Sequence, residues 1–560
     1  MNSNNPCIVQ SDNTLLLEVN NPFFKEARNA ITVFSHLEKS PEYVHTYSIT
    51  PLSLWNAAAL GLSPRKIVES LEKFSKYAVP QNVIDNIREL MSRFGKLILE
   101  TVDDRLILRC TEPLLLENLI RQQTIAHLVR EIIDPGRVVI APENRGIIKQ
   151  ALINLGFPVK DVAGYVDGEP MDVALRQACR DGTPFSIREY QRLASESYVG
   201  SPEMPGGSGV VVLPCGAGKT IVGIYVMSLL RRRTLILATN VTAARQWKRE
   251  LLDKTDLSPD AIGEYSSECK EVRPVTIATY QILTYRKKKT DPFTHFGIFN
   301  SQNWGLIVYD EVHLLPAPVF QFTANIQARR RLGLTATLIR EDGRENDVFT
   351  LIGPKKFDVP WKDLERQGWI ATARCVEIRV DLPDTEKLKS LSQPLREQIR
   401  TAYENPMKLP IARALIEQHR SDRVLVLGQY LSQLHAFAEE FSAPIITGAT
   451  PNKKRDELYD QFRTGEIRLL ILSKVGNFAI DLPDANVAIQ ISGTFGSRQE
   501  EAQRLGRILR PKKKGEQATF YSIVTRESRE IEFAMNRQLF LTEQGYSYDI
   551  KYGRDYGVEP

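Results

Sequence analysis

The stretch with the plainest chemistry is L-P-C-G-A-G-K-T at residues 213–220. Gly216 and Gly218 let the backbone curl until successive N–H groups point at phosphate oxygens, and a helix starting near Lys219 adds the positive end of its dipole. Pro214, Cys215 and Ala217 complete the turn, with Cys215 read as a small filler rather than a nucleophile. Lys219 would meet terminal phosphates and Thr220 would offer its hydroxyl to Mg²⁺. The full spacing G-x-x-x-x-G-K-[ST] asks for glycine at 213, where this chain has Leu213, so only the second half matches. A glycine-rich turn that binds nothing is the competing reading; the companions of the loop argue against it.

The first companion is D-E-V-H at 310–313, directly after the apolar run 306–308. A carboxylate at such a strand end can hold Mg²⁺, which suits Asp310, and its neighbour can polarise an attacking water, which suits Glu311. G-L-T-A-T at 333–337 follows three arginines, and hydroxyls of Thr335 and Thr337 there could bond to His313. Upstream, Arg188 and Gln191 in I-R-E-Y-Q carry the forked donors and the amide that can read adenine edges, although an ordinary amphipathic helix start has the same spacing. Far downstream, Q-R-L-G-R-I-L-R supplies Gln503, Arg507 and Arg510. Two guanidiniums at i and i+3 suit a charged phosphoryl-transfer transition state; the competing reading is a surface basic helix contacting DNA or solvent.

These groups need a scaffold that brings distant segments together. Short apolar runs at 210–212, 234–238, 275–278 and 306–308 alternate with helical stretches, which predicts a parallel sheet with ligands at its carboxyl edge. The alternation restarts at 423–427, 443–446, 467–472, 487–491 and 518–523, so a second such sheet is expected, without a phosphate loop of its own. Between the two, residues 385–403 read as an amphipathic helix. Before them, residues 7–99 mix one strand-like run at 15–19 with helices opened by Thr50-Pro51 and Ser63-Pro64, a capping residue followed by proline at the first helical position. Residues 101–181 read as a small α/β module, with strands at 105–110 and 137–141 and, over 147–165, a helix, a Gly-Phe-Pro corner and a second short helix.

A chain of 560 residues is too long for one core. Its 25% charged and 42% hydrophobic residues are those of an ordinary soluble protein, and no apolar run approaches a bilayer span, so a cytoplasmic location and no membrane contact are expected. A formal charge of +5 over this length means that any nucleic acid must be met by local patches. Lys287 to Lys289 form one basic triplet, more often a solvated face than a phosphate contact. Six widely spaced cysteines with no C-x-x-C pair fit reduced thiols rather than a zinc or iron–sulfur site.

Taken in order, I-R-E-Y-Q, P-C-G-A-G-K-T, D-E-V-H, L-T-A-T, S-K-V-G-N-F-A-I-D-L-P and Q-R-L-G-R-I-L-R resemble the motifs of superfamily 2 helicases. Arg340-Glu341-Asp342 after the T-A-T loop, residues 473–483 and 499–510, and E-Q-G-Y-S at 543–547 are similar to the XPB-type DNA repair helicases, especially the short bacterial members. The likeness runs over nearly the whole chain.

That resemblance implies an α/β protein with two RecA-like parallel-sheet lobes preceded by N-terminal accessory domains. The expected divisions are a mostly helical domain at 1–100, a damage-recognition-like domain at 101–182, lobe 1 at 183–374, a connector with a short thumb-like segment at 375–410 and lobe 2 at 411–560. It implies an ATP- and Mg²⁺-dependent 3′–5′ DNA helicase acting in nucleotide excision repair, with a duplex translocase as the alternative. Lys219 and Thr220 would serve phosphates and metal, Asp310 and Glu311 metal and water, His313 coupling, and Arg188 and Gln191 adenine. Gln503, Arg507 and Arg510 would complete the site from lobe 2. Arg340, Glu341 and Asp342 would help to open the duplex. Forked, damaged or duplex DNA is the implied partner, with a repair nuclease or other repair factor as a further candidate.

Overall fold

The structure is a computed structural model. It describes the chain except residues 1–3, 40–42, 201–205, 289–292, 317, 320–321, 324–325, 327–328, 338–344, 474–484, 495–496, 498–500, 502–503, 507, 509–516 and 559–560. The chain gathers into two compact units, Met1–Leu213 with Gly218–Asp358, and Val359–Pro560, with which Pro214–Ala217 are grouped.

The first unit is built on a seven-stranded sheet among the described residues. Its order across the sheet is Ile262–Tyr265, Val275–Thr279, Thr234–Ala238, Leu306–Asp310, Arg330–Thr335, Ser208–Val212 and Lys355–Asp358, and every neighbouring pair is parallel. The central strands are buried along almost their whole length, which is why they read as unbroken apolar runs rather than as alternation. Parallel pairing also puts all carboxyl ends on one edge. The phosphate loop, the D-E-V-H turn and the T-A-T loop therefore leave the sheet side by side, from the strands Ser208–Val212, Leu306–Asp310 and Arg330–Thr335.

Two smaller sheets precede it in the same unit. The strands Cys7–Val9, Thr14–Glu18, Val44–Ser48 and His36–Lys39 form an antiparallel sheet in that order, so the single strand read at 15–19 is one of four. The two expected caps are in place. Thr50 Oγ1 accepts from the Ser53 N–H while Ser53 Oγ accepts from the Thr50 N–H, and Ser63 Oγ accepts from the Lys66 N–H. The second sheet orders Val129–Asp134, Arg137–Ile140, Arg105–Cys110, Leu97–Val102 and Val159–Asp161. Its last strand stands where a second short helix was expected. The backbone of Val159–Asp161 pairs in parallel with Leu97–Val102, and Asp161 is drawn to Arg145 and Lys149, so tertiary pairing overrides a segment of weak local preference.

These accessory sheets are fastened to the large one. Trp55, Ile153 and Phe349 share an apolar cluster, Gln150 donates to Asp347 at 2.9 Å, and the Lys355 N–H donates to Asn56 at 3.1 Å. Arg145 and Arg331 stack on the Tyr165 ring, with guanidinium carbons 5.4 and 5.6 Å from its centroid.

The second unit has its own seven-stranded parallel sheet among the described residues. The order is Ile445–Ile446, Leu469–Leu472, Val424–Leu427, Val487–Gln490, Ala518–Thr525, Ala373–Val380 and Tyr548–Tyr552. The segment expected as a connector at 375–410 thus contributes a strand, Ala373–Val380, flanked on both sides by others. Its mixed sequence A-R-C-V-E-I-R-V hid it, because Glu377 is buried with polar partners, donated to by Arg379 and Gln538. The helix read at 385–403 is two, Asp384–Leu391 and Leu395–Tyr403, with Pro394 at the break.

Candidate active site

Gly216 and Gly218 both take φ near 80°, the left-handed region that glycine enters without a Cβ penalty. Gly218 is the residue from which the helix Lys219–Leu230 starts. A Cβ on Gly218 would lie 2.6 Å from the Gln191 side-chain nitrogen, so the amide of Gln191 rests directly on the loop. Gln191 Oε1 accepts the Arg188 N–H at 3.0 Å, which ties the start of the helix Glu189–Val199 to the loop's flank. Arg188 Nη1 donates to the Tyr190 hydroxyl at 3.1 Å.

From the loop the polar groups run across the sheet edge. Lys219 Nζ stands 3.3 Å from Glu311 Oε1, and Glu311 Oε2 stands 3.5 Å from His313 Nδ1. His313 Nδ1 is 2.7 Å from Thr335 Oγ1. The hydroxyl proton of Thr335 is given to the Thr337 carbonyl at 2.5 Å, so Thr335 Oγ1 must accept from the imidazole, and His313 carries its proton on Nδ1. Glu311 has φ of 48°, a left-handed conformation that costs a non-glycine residue on the order of 1–2 kcal/mol. It ends the strand abruptly and turns the chain so that Glu311 and His313 serve one edge.

Asp310 is held differently. Its Oδ2 accepts the Trp247 indole Nε1–H at 2.9 Å, and its carbonyl accepts the Tyr280 hydroxyl at 2.8 Å. Burial, and then the charge of Glu311, push its carboxyl up to about 6, while Trp247 and Lys219 act in the opposite direction. A positive charge brought close to Asp310 would draw its carboxyl back down. Trp247 was not singled out in the sequence, where it sits as one apolar residue of a helical pattern and nothing local marks its N–H as the partner of a distant carboxylate. Thr220 follows Lys219 in the first turn of the helix. Among the described residues no three His, Cys, Asp or Glu side chains converge as a metal cage.

Six expected residues, Arg340, Glu341, Asp342, Gln503, Arg507 and Arg510, lie outside the described residues. Their neighbour Arg504 is described. It turns into the second unit's core, where Nη1 donates to Gln490 Oε1 and, at 3.3 Å, to the Ser492 carbonyl. Glu501 is buried there too, accepting from Gln490 at 2.9 Å and facing Arg537 Nε at 3.4 Å.

Comparison with known proteins fits this arrangement. Residues 364–554 match the family described as ERCC3/RAD25/XPB C-terminal helicase, residues 184–340 the type III restriction enzyme res subunit, and residues 7–134 a helicase conserved C-terminal domain. The chain is 51% identical to DNA 3′-5′ helicase XPB of Mycobacterium tuberculosis over 98% of its own length and 97% of that protein. It belongs to the XPB helicase family. Another XPB relative, from Kineococcus radiotolerans, is also 51% identical, over 97% of this chain and 96% of that one. The XPB subunit of the general transcription and DNA repair factor IIH of Encephalitozoon cuniculi is 33% identical over 97% of this chain and 82% of its own. Membership of the XPB family carries both the two parallel-sheet lobes and the order of motifs along them. No helix among the described residues is long and apolar enough to cross a membrane.

Proposed function

We propose that this chain is an ATP-dependent 3′–5′ DNA helicase whose hydrolytic centre is the carboxyl edge of the first sheet. The single observation that carries this reading is the unbroken line from Lys219 through Glu311 and His313 to Thr335, which joins three strand ends. The backbone turn at Gly216 and Gly218 cradles the phosphates, and Lys219 neutralises their charge. Mg²⁺, when bound, would neutralise phosphate charge, and Thr220 and Asp310 would hold it. With few protein donors to offer, the site suits an ion that keeps water and phosphate oxygens as its other ligands. Glu311 orients and polarises the attacking water. Gln191, seated on the loop, and Arg188 read the adenine edge.

His313 and Thr335 tie that chemistry to the strand Arg330–Thr335, beyond which come Arg340, Glu341 and Asp342, to which we assign duplex opening. We assign Gln503, Arg507 and Arg510 to the developing charge on the transferring phosphoryl group. The DNA is forked, damaged or duplex, the setting is nucleotide excision repair at the nucleoid, and a repair nuclease or other repair factor is a candidate partner. Residues 101–182 are the domain that would meet distorted DNA.

Strand displacement on a forked duplex with a 3′ tail tests the reading, and ATP-dependent separation is expected. DNA-stimulated ATP hydrolysis without separation, but with displacement of a triplex strand, would make the chain a duplex translocase instead.

A further inference from the structure

Gly223 lies in the middle of the helix Lys219–Leu230, where glycine costs about 1 kcal/mol against alanine. Its φ is not positive, so the position does not need glycine's conformational freedom. It needs the space. A Cβ there would lie 2.6 Å from Cη2 of Trp247 and 3.3 Å from Cδ1 of Leu334. The Trp247 ring, 1% exposed and carried on the helix Val241–Lys254, fills the notch that Gly223 leaves. So seated, its Nε1–H reaches Asp310 Oδ2 at 2.9 Å.

We infer that Trp247 is a positioning residue for the metal-binding carboxylate, locked in place by the missing side chain at Gly223. Indole carries one donor and no acceptor, so it can fix a carboxylate oxygen without competing for a cation. With Oδ2 committed to it at 2.9 Å, the Asp310 carboxylate is held in one orientation at the strand end. Hydrogen bonds of this kind from outside the ligand set orient ligands and tune affinity for the metal. The notch lies four residues into the helix whose first turn holds Lys219 and Thr220, so phosphate loop and carboxylate are held in register by one contact. This inference rests on Asp310 serving a metal, as proposed above.

Trp247→Phe keeps an aromatic ring and deletes the donor, while Gly223→Ala keeps the donor and displaces the ring. Both should weaken the magnesium-dependent part of ADP binding, measured with a fluorescent ADP in Mg²⁺ and again in EDTA, by about 10- to 100-fold. Binding in EDTA should move less than about 2-fold, because the phosphate loop is untouched by Trp247→Phe. In the double variant the smaller ring relieves the contact, so its loss should equal that of Trp247→Phe alone, a non-additive outcome expected of coupled residues. Thermal melting of each variant separates misfolding from mispositioning, and Gly223→Ala remains as the second arm if Trp247→Phe melts early. A magnesium-dependent gain that survives in both folded variants overturns the inference and leaves the site reading standing. A wild-type protein whose ADP affinity is the same with and without Mg²⁺, and in which Asp310→Asn changes nothing, overturns both.

Discussion

His313 Nδ1 and Thr335 Oγ1 meet at 2.7 Å across the ends of two adjacent strands, with both side chains buried. Because the Thr335 proton is already committed to the Thr337 carbonyl, the hydrogen bond has one direction and the imidazole one tautomer. The same Nδ1 stands 3.5 Å from Glu311 Oε2, so Glu311 and the T-A-T loop share one nitrogen of one ring, and a shift of the carboxylate alters what Thr335 accepts.

Thr335→Val should therefore separate hydrolysis from work on DNA. We expect DNA-stimulated turnover to persist at a reduced rate while strands separated per ATP fall by about 10-fold, the scale of a typical coupling free energy. Thr335→Ser, which keeps the hydroxyl, should restore coupling. Parallel ATPase and strand-displacement assays decide it; equal loss of both in Thr335→Val would remove the coupling role.

Lys219→Ala should abolish turnover and leave DNA affinity within about 2-fold, since the phosphates lose the charge that meets them while nothing that holds DNA is altered. Fluorescence anisotropy with a labelled fork, beside an ATPase assay, provides the check. Unchanged ATPase would refute the assignment of the loop.

For Arg507→Ala, hydrolysis should slow by about 10³- to 10⁵-fold, the effect of arginine fingers in P-loop nucleoside triphosphate hydrolases. Arg507→Lys should recover little, because an ammonium lacks the planar fork. Single-turnover hydrolysis at saturating DNA measures it, and a change below about 3-fold would favour a DNA contact for this arginine.

Asp161 is buried between Arg145 at 2.7 Å and Lys149 at 2.8 Å, and those two cations hold its carboxyl well below the usual carboxylate range despite the opposing effect of burial. Asp161→Asn should destabilise the first unit by about 3–5 kcal/mol, by stranding two buried cations. Calorimetry on the variant reads the loss, and a cost under about 1 kcal/mol would mean that water reaches the cluster.

The same cluster predicts a pH dependence. Burial, helped by Arg331 and Arg145, outweighs the pull of Asp161 and draws the Lys149 ammonium down to about 8. An unfolded lysine keeps its proton to about 10.4. Between those values the unfolded chain binds a proton that the folded chain lacks, so stability rises with pH across the window and is independent of this group below it. Relative to Lys149→Met, the wild type should gain up to ~3 kcal/mol from pH 8 to 10.4, read from denaturant midpoints. A parallel pH profile for the two proteins would sink the assignment.

The sequence by itself determined the chemistry and its scaffold. G-A-G-K-T between an apolar run and a helix, and D-E-V-H at the end of another run, each announce a strand end carrying chemistry-bearing residues, since the residue types and the local backbone requirement sit within a few positions. Helix caps at Thr50 and Ser63 were legible for the same reason. What depends on distant partners was not legible. The strand Ala373–Val380 is stabilised by ladders to Ala518–Thr525 and Tyr548–Tyr552, and its polar Glu377 broke the apolar signal. Val159–Asp161 became a strand because Leu97–Val102 offered it an open edge. Trp247, an ordinary helix residue in the sequence, reaches Asp310 only because two helices and one strand bring positions 223, 247 and 310 to one place. Periodicity encodes which face of an element is buried, but not which buried neighbour it will meet; that pairing is fixed only when the chain closes on itself.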